Sequence, residues 1–325
     1  MSGNGTGRRQ PDTDLTLQDR ARGCAVGAAV GDALGMPLEF KPPRPPDDLV
    51  REMIAGRLPA GTFTDDTEMA LALADSLLEQ TPLDASDLAY RFVAWFRAAP
   101  SDIGLHTRSV LARMARGEFW DEAVDAVQQE RPDAAGNGSL MRTWPVALAQ
   151  QSRLDDLLVD SWKQSRVTHA HPDCLTACAF VNAVIYHLLH GHSPEHAVLN
   201  AAALVKMPES FWEMIQGSAD RGRDELANTG WVRHTLESAV WGLLSTHSFE
   251  EALVHVVNLG NDADTAGAVV GALAGAAYGI DAIPPRWMAA LCGEWPLMSH
   301  KIWRVDDFIA LADRLIALDE GRHDE

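Results

Sequence analysis

Two short acidic runs in this sequence combine the side chains that bind hard divalent cations. Residues 64–67 (TDDT) and 262–265 (DADT) each stand directly before an apolar run with helical spacing. Aspartate and threonine offer only oxygen ligands, which Mg²⁺ and Mn²⁺ prefer over nitrogen or sulfur. Adjacent carboxylates also repel one another, and a bound cation removes that cost. If the two runs meet in space, they form a metal site.

The same residue types also have a purely structural interpretation. Threonine and aspartate cap helix N-termini and complement the positive end of the helix dipole. In this interpretation Thr64 accepts a hydrogen bond from the amide of Asp66 or Thr67. The acids Asp65, Asp66 and Glu68 are then ordinary residues of the first turn. Capping explains less well why carboxylates are doubled at both places, so both interpretations stay open at this point.

The composition is that of a globular protein with a strong negative charge. Of 325 residues, 46% are apolar and 22% are charged, and 46 acidic against 27 basic residues give a net charge of −19. This charge makes direct binding to nucleic acid or to an anionic membrane unexpected, because both are polyanions. The four cysteines and an N-terminus without the apolar core of a secretory signal predict a reduced, cytoplasmic protein.

Helical periodicity dominates the chain and predicts an all-α fold. We expect a flexible N-terminal tail over residues 1–16, one domain over residues 17–325, and a proline-rich loop at residues 41–46 after the first helix. Glycine recurs at every fourth residue in two places, which predicts that the first helix and a late helix pack closely in the centre of a bundle. The glycines are Gly23, Gly27, Gly31 and Gly35, and Gly267, Gly271, Gly275 and Gly279.

Other polar positions are ambiguous when taken singly. Glu39 ends the first helical segment, and Asp102 precedes a helix predicted from Leu105 to Arg116, where it could serve only as a cap. The glycine-bracketed turn at residues 136–142 (GNGSLMR) could bind an anion through backbone amides, although its glycine spacing is neither that of a Rossmann nor that of a Walker motif. His169 is more credible as a substrate-facing or hydrogen-bonding residue than as a zinc ligand.

Together these segments resemble the ADP-ribosylglycohydrolase family, in particular the bacterial branch that includes the dinitrogenase reductase activating glycohydrolase. The matching segments occur in the family's order and span residues from about 20 to 285. They are residues 23–40, 63–69 (FTDDTEM), 101–104 (SDIG), 136–142 (GNGSLMR), 168–172 (THAHP) and 258–267 (NLGNDADTAG).

The resemblance implies a single compact orthogonal helical bundle with a binuclear Mg²⁺ or Mn²⁺ centre. The implied metal ligands are Thr64, Asp65, Asp66, Asp262, Asp264 and Thr265. The implied catalytic carboxylates are Asp102, which faces the scissile ribose, and Glu39, a mobile acid near the metals. The implied contacts to ADP-ribose are Gly104, Gly136, Asn137, Gly138, Ser139, Met141, His169 and Trp231.

The function implied by the resemblance is metal-dependent removal of ADP-ribose from a protein side chain, foremost arginine. The substrate would be an ADP-ribosylated protein, and ADP-ribose would be the product. Hydrolysis of another linkage, to serine, a nucleic acid end or a small-molecule ester, stays open, as does a catalytically silent ADP-ribose-binding relative. The sequence leaves the oligomeric state and the physiological target undetermined.

Overall fold

The computed structural model describes residues 15–320, without the side chains of residues 319 and 320. The predicted flexible tail therefore lies outside the described residues except for its last two positions. Thr16 belongs to the folded part, because its hydroxyl accepts a hydrogen bond from the amide of Asp19 at 3.1 Å, and the Asp19 carboxylate accepts one from the amide of Thr16. This reciprocal capping starts the first helix at Leu17.

Helices make up most of the described chain, as the periodicity predicts. In chain order they are α1 (Leu17–Gly35), α2 (Asp65–Glu79), α3 (Ala85–Arg97), α4 (Leu105–Ala115), α5 (Trp120–Glu130), α6 (Trp144–Ala149), α7 (Leu154–Arg166), α8 (Pro172–Leu189), α9 (Pro194–Leu204), α10 (Glu209–Ser218), α11 (Val232–Ser245), α12 (Phe249–Val257), α13 (Ala263–Tyr278), α14 (Pro285–Ala290) and α15 (Val305–Glu320). Two short strands, β1 (Gly293–Glu294) and β2 (Ile302–Trp303), pair antiparallel. The predicted all-α fold is confirmed.

The centre of the bundle is the antiparallel contact between α1 and α13. A Cβ atom at Gly31 would lie 1.9 Å from the carbonyl oxygen of Gly267, and one at Gly27 would lie 2.3 Å from that of Gly271. Real Cβ atoms do not approach so closely, so only glycine allows the two backbones to touch. The predicted packing of the two glycine-bearing helices is confirmed. The last of the eight glycines, Gly279, follows α13 and adopts a φ of 77°.

The remaining helices surround this pair, and α13 is flanked by α8, α11 and α12. By length and composition, α8 alone among the described helices could cross a membrane. However, 72% of its apolar window is buried inside the bundle, as is usual for a core helix of a globular domain.

The α1–α13 contact also fixes the position of the two acidic runs. Near the C-terminal end of α1, a Cβ atom at Gly35 would lie 2.2 Å from the carbonyl oxygen of Ala263, so α13 starts where α1 ends. One turn earlier on α1, Asp32 accepts hydrogen bonds from the start of α2. The N-termini of α2 and α13 therefore meet at one end of the bundle.

Candidate active site

The start of α2 is held by a carboxylate from α1 rather than by its own threonine. Asp32 Oδ2 accepts hydrogen bonds from the amides of Thr64 at 2.9 Å and Thr67 at 3.1 Å, and Asp32 is fully buried. Thr64 makes no side-chain capping bond and instead donates its hydroxyl to Asp32 Oδ1 at 2.8 Å. The purely structural interpretation of the first acidic run is therefore wrong about Thr64, and the aspartates that follow are not needed to cap the helix.

Four aspartates from the two helix starts line one cavity of about 400 Å³: Asp65, Asp66, Asp262 and Asp264. Asp66 is 2% exposed, and its Oδ1 atom is buried without a hydrogen-bond partner. Asp262 accepts a hydrogen bond from Asn137 Nδ2 at 2.9 Å. One carboxylate oxygen each of Glu39, Asp262 and Asp264 lies within 4.8 Å of the others. The two acidic runs thus converge, which is the condition for the metal site that their residue types suggest.

This convergence is costly without a cation. Burial raises the pKa of Asp66 well above its usual value, and the nearby Asp32 and Asp65 raise it further. Burial also raises the pKa of Asp264 well above its usual value, with Asp66 and Glu39 adding to the shift. Each shift means that the ionised form is disfavoured where it lies, both by lost hydration and by like charge.

The donor set fits a hard divalent cation. It consists of oxygen atoms alone, it carries several negative charges in a buried place, and it includes the orphaned Asp66 Oδ1. A buried polar atom without a partner costs free energy, and a metal ligand bond would satisfy it. The residues present therefore fit the predicted Mg²⁺ or Mn²⁺ centre.

A guanidinium lies against the carboxylates at the edge of this cluster. Arg57 Nε and Nη2 donate to Glu39 Oε2 at 3.0 and 2.7 Å, and Nη2 also forms an ion pair with Asp102. The Glu39 side chain is 9% exposed, so this helix-end acid is not the solvated residue that such a position usually holds. Burial raises the pKa of Glu39, while Arg57 opposes the shift. Asp102 does not cap α4, whose N-cap is Gly104.

The opposite wall of the cavity is a loop in which two residues, Gly136 and Gly138, have no side chain. Gly136 forms an isolated bridge with Trp231, and the amide of Asn137 donates to the carbonyl of Gly230 at 3.1 Å. A Cβ atom at Gly138 would lie 2.9 Å from Cε1 of His169. Glycine is therefore required there for the loop to lie flat over the histidine, which leaves room for a ligand.

The ring of His169 is oriented from below by a chain of hydrogen bonds. Arg142 Nη2 donates to the Thr168 hydroxyl at 2.8 Å, and that hydroxyl lies 2.8 Å from His169 Nδ1. Among the described hydrogen bonds, Nδ1 is the one acceptor for the Thr168 hydroxyl proton, so we assign that proton to the Thr168–His169 bond. His169 then carries its own proton on Nε2, on the side of the glycine loop. Burial lowers the pKa of His169 well below its usual value and keeps the ring neutral.

Most of the predicted site residues face the cavity. Those that line it are Glu39, Asp65, Asp66, Asp102, Gly104, Gly136, Asn137, Gly138, Met141, His169, Asp262, Asp264 and Thr265. Three lie beside the lining. Thr64 is buried beneath the acidic cluster, Ser139 faces the core and accepts a hydrogen bond from Ser165 at 2.8 Å, and Trp231 stacks edge-on against His234.

Several residues of the site were missed by the sequence reasoning. Arg57 belongs to a loop without a recognisable motif, and His106, whose ring lies 4.6 Å from that of His169, had no signal of its own. Asp32 did have a signal, because an aspartate inside a helix of glycine, alanine and valine must find buried partners. Glu68 accepts a hydrogen bond from Trp95 Nε1 at 2.7 Å beneath the site.

Comparisons with known proteins identify the family of this chain. The family model described as ADP-ribosylglycohydrolase matches residues 13–325. The ADP-ribosylarginine hydrolase Tri1 of Serratia proteamaculans (strain 568) is 34% identical over 286 residues, which cover 84% of this chain and 75% of the relative. The ADP-ribosyl-[dinitrogen reductase] glycohydrolase of Rhodospirillum rubrum is 34% identical over 286 residues, covering 86% and 92% of the two chains.

A solved structure shares both fold and sequence with this protein. It is titled ADP-ribosylglycohydrolase-related protein complex, is 35% identical, and superposes with a TM-score of 0.75 over 93% of this chain and 98% of its own. The match of the family model over nearly the whole chain and relatives at 34% identity lead to one assignment. This protein belongs to the ADP-ribosylglycohydrolase family.

Proposed function

We propose that this protein is a Mg²⁺- or Mn²⁺-dependent hydrolase that removes ADP-ribose from arginine side chains of proteins. The observation that carries the proposal is the convergence of Asp65, Asp66, Asp262 and Asp264 on a cavity whose other wall is the glycine loop and His169. The relatives named ADP-ribosylarginine hydrolase and ADP-ribosyl-[dinitrogen reductase] glycohydrolase support the substrate class.

The metal ligands in this proposal are the residues of the two acidic runs: Thr64, Asp65, Asp66, Asp262, Asp264 and Thr265. Bound divalent cations would supply Lewis-acid stabilisation of charge on the ribose hydroxyls and on the attacking water. Asn137 orients one of these ligands, since it donates to Asp262 from Nδ2 and also contacts the hydroxyl of Thr235 at 2.8 Å.

The reaction breaks the bond between ribose C1″ and a guanidinium nitrogen and forms a bond between C1″ and water oxygen. The proton that water loses ends on the departing nitrogen, so arginine leaves as a guanidinium cation. Asp102 and Glu39 are the carboxylates that carry out this proton transfer. Burial raises the pKa of Glu39, which makes this carboxylate a better proton acceptor than an exposed glutamate.

The opposite wall binds the rest of ADP-ribose. The amides of Gly136 and Gly138, unlike that of Asn137, donate to no described backbone carbonyl, and neither residue has a side chain, which suits a diphosphate. His169, neutral with its proton on Nε2, adds a hydrogen-bond donor without adding charge. The cavity, with a volume of about 400 Å³, is of a size that accepts a nucleotide-like ligand.

The test is hydrolysis of a defined substrate. The purified protein is incubated with an arginine-ADP-ribosylated protein and Mg²⁺ or Mn²⁺, and released ADP-ribose is measured. We expect release that stops with EDTA and returns when metal is restored. A serine-ADP-ribosylated protein and an ADP-ribosylated nucleic acid end serve as parallel substrates. Release from one of these but not from arginine would overturn the arginine assignment, and release unaffected by EDTA would overturn the metal requirement.

A further inference from the structure

Arg57 places a guanidinium on the two carboxylates that the proposed reaction uses for proton transfer. Its Nη2 atom lies 2.7 Å from Glu39 Oε2 and 3.3 Å from Asp264 Oδ2, and it forms an ion pair with Asp102. Although it projects from a loop, the Arg57 side chain is only 31% exposed. The protein's own chain therefore presents, at this point, the chemical group that the proposed reaction releases.

We propose that Arg57 is an internal mimic of the leaving arginine, which fills a guanidinium subsite formed by Glu39 and Asp102 until a substrate arginine displaces it. This inference rests on the arginine specificity proposed above. In this proposal a substrate arginine binds only after it has displaced Arg57 from the subsite.

The contacts favour a guanidinium subsite over a mere substitute for the metal. Of the six proposed metal ligands, Arg57 contacts Asp264 alone among the described contacts, and that is its longest one. The orphaned Asp66 Oδ1 stays without a partner while Arg57 is in place. A guanidinium that fully replaced the metals would also contact Asp65, Asp66 or Asp262, and Arg57 has no described contact with any of the three. Arg57 instead pairs with Asp102 and with Glu39, one carboxylate oxygen of which lies within 4.8 Å of oxygens of Asp262 and Asp264.

The loop that carries Arg57 allows the side chain to leave without unfolding. Residues 41–63 contain no helix, and the backbone at Gly56 packs so tightly on the first helical segment that a Cβ atom there would lie 2.7 Å from Pro37 Cα. The amide of Gly56 donates to the carbonyl of Leu58 at 3.0 Å, so the backbone around Arg57 is anchored. Displacement then needs only rotation of a long, flexible side chain.

The exchange would also discriminate between leaving groups. When a substrate guanidinium replaces Arg57, one planar cation replaces another and the charge beside Glu39 and Asp102 is conserved. A neutral leaving group, such as a serine hydroxyl, would leave these carboxylates without a counter-ion. Arg57 thereby favours arginine-linked substrates over neutral linkages, because only the former compensate for its removal.

The decisive experiment measures arginine binding rather than turnover. L-arginine is titrated calorimetrically into the full-length protein, with Mn²⁺ and with or without ADP-ribose, for the wild type, Arg57→Ala, Arg57→Lys and the matched control Arg51→Ala. Arg51 lies on the same loop and is exposed. L-citrulline, the neutral isostere of arginine, is the ligand control. Thermal unfolding of each variant confirms that it is folded.

We expect Arg57→Ala to bind arginine about tenfold more tightly than the wild type, as follows if Arg57 fills the subsite in roughly nine of ten molecules. Arg57→Lys, which lacks the planar fork, should fall between the two, and Arg51→Ala should match the wild type. Citrulline should not bind measurably to the wild type or to any of the three variants.

Three results would overturn the proposal. Equal arginine affinity in Arg57→Ala and wild type would show that the subsite is not occupied by Arg57. Tighter Mn²⁺ binding in Arg57→Ala without a change in arginine affinity would make Arg57 a competitor of the metal. Lost hydrolysis with unchanged arginine affinity would make it a permanent counter-ion of the catalytic carboxylates. If Arg57→Ala binds arginine more tightly while no variant hydrolyses ADP-ribosyl-arginine, the subsite stands and the proposed reaction falls.

Discussion

Asp32 and Thr67 join the first two helices by a double hydrogen bond. Oδ2 of Asp32, on α1, accepts from both the amide of Thr67 at 3.1 Å and its hydroxyl at 2.6 Å. The carboxylate thus caps a helix to which it does not belong. Burial raises the pKa of Asp32 to about 6 despite these hydrogen bonds, so the group is ionised at neutral pH and above. Helix α1 therefore lies beneath the site and also fixes the direction in which Asp65 and Asp66 point.

Replacement of Asp32 by alanine should loosen the start of α2 and the metal site together. The variant leaves the buried amides of Thr64 and Thr67 without an acceptor, which predicts a loss of about 2 to 4 kcal/mol in the free energy of unfolding. We also expect weaker Mn²⁺ binding. Chemical denaturation and calorimetry measure the two effects. The control is Asp19→Ala, which removes the capping box of α1 and should cost about 1 kcal/mol without changing Mn²⁺ affinity. Unchanged Mn²⁺ affinity in Asp32→Ala would contradict the orienting function.

Thr168 should set the tautomer of His169. Thr168→Val removes the hydroxyl that lies between Arg142 and His169 Nδ1 while it nearly conserves the side-chain volume. The imidazole would no longer be restricted to the form protonated on Nε2, and we expect ADP-ribose to bind about tenfold more weakly, as for the loss of one good hydrogen bond. Nitrogen NMR of the ring reports the tautomer, and calorimetry reports the affinity. Thr168→Ser keeps the hydroxyl and should behave as the wild type. A single Nε2-protonated form in Thr168→Val would refute the orienting chain.

The features that could be predicted from the sequence are those encoded by residues close together along the chain. Glycine at every fourth residue predicts close helix packing because a Cβ atom is excluded wherever two backbones touch, as at Gly31 and Gly267. Oxygen donors that are adjacent at a helix start, such as Asp65 and Asp66, predict a cation site because the first helical turn holds them close together in space. That these starts belong to the same site followed from the family resemblance rather than from either run alone.

The parts that the sequence left out depend on contacts between distant segments. The partners of Asp32 could be named only once α1 was known to end beside the start of α2. Arg57 reaches Glu39 because an irregular loop returns to the first helix, and no periodic pattern encodes that path. Ser139 was predicted to face ADP-ribose, but the turn directs its hydroxyl to Ser165 in the core.

The glycine contact at the centre of the bundle should not tolerate a methyl group. In Gly31→Ala the new Cβ atom would meet the Gly267 carbonyl oxygen at 1.9 Å, and backbone cannot move aside as a side chain can. We expect a loss of more than about 3 kcal/mol in the free energy of unfolding, or no soluble protein. Gly217→Ala is the matched control, because nothing lies within 4 Å of its Cβ position, and it should be neutral or stabilising by up to about 1 kcal/mol. Equal stability of the two variants would refute the close contact.

Glu68 should make the metal-free protein less stable as the pH rises. Burial raises its pKa to about 7 from 4.5, although Trp95 donates a hydrogen bond to it. The folded state therefore binds a proton more tightly than the unfolded state, and stability falls as the pH rises from 4.5 to 7. Glu68→Gln removes this dependence, so its advantage over the wild type should grow from near zero at pH 4.5 to about 3 kcal/mol at pH 8. Denaturation in EDTA at both pH values measures it, and a pH-independent difference would refute the raised pKa.

Asp66→Asn should stabilise the metal-free protein and abolish metal binding in the same molecule. Burial raises the pKa of Asp66 well above its usual value, so at pH 8 its ionised form is disfavoured and a neutral amide removes that cost. Calorimetry with Mn²⁺ should show more than about a 100-fold loss of affinity. Loss of a residue that only hydrogen-bonds to a metal ligand already weakens metal binding about 10- to 100-fold, and loss of the ligand itself should cost more. Asp281→Asn, at an exposed acid, controls for net charge. A lower melting temperature of Asp66→Asn in EDTA would mean that the carboxylate stabilises the fold, and intact Mn²⁺ binding would remove Asp66 from the metal site.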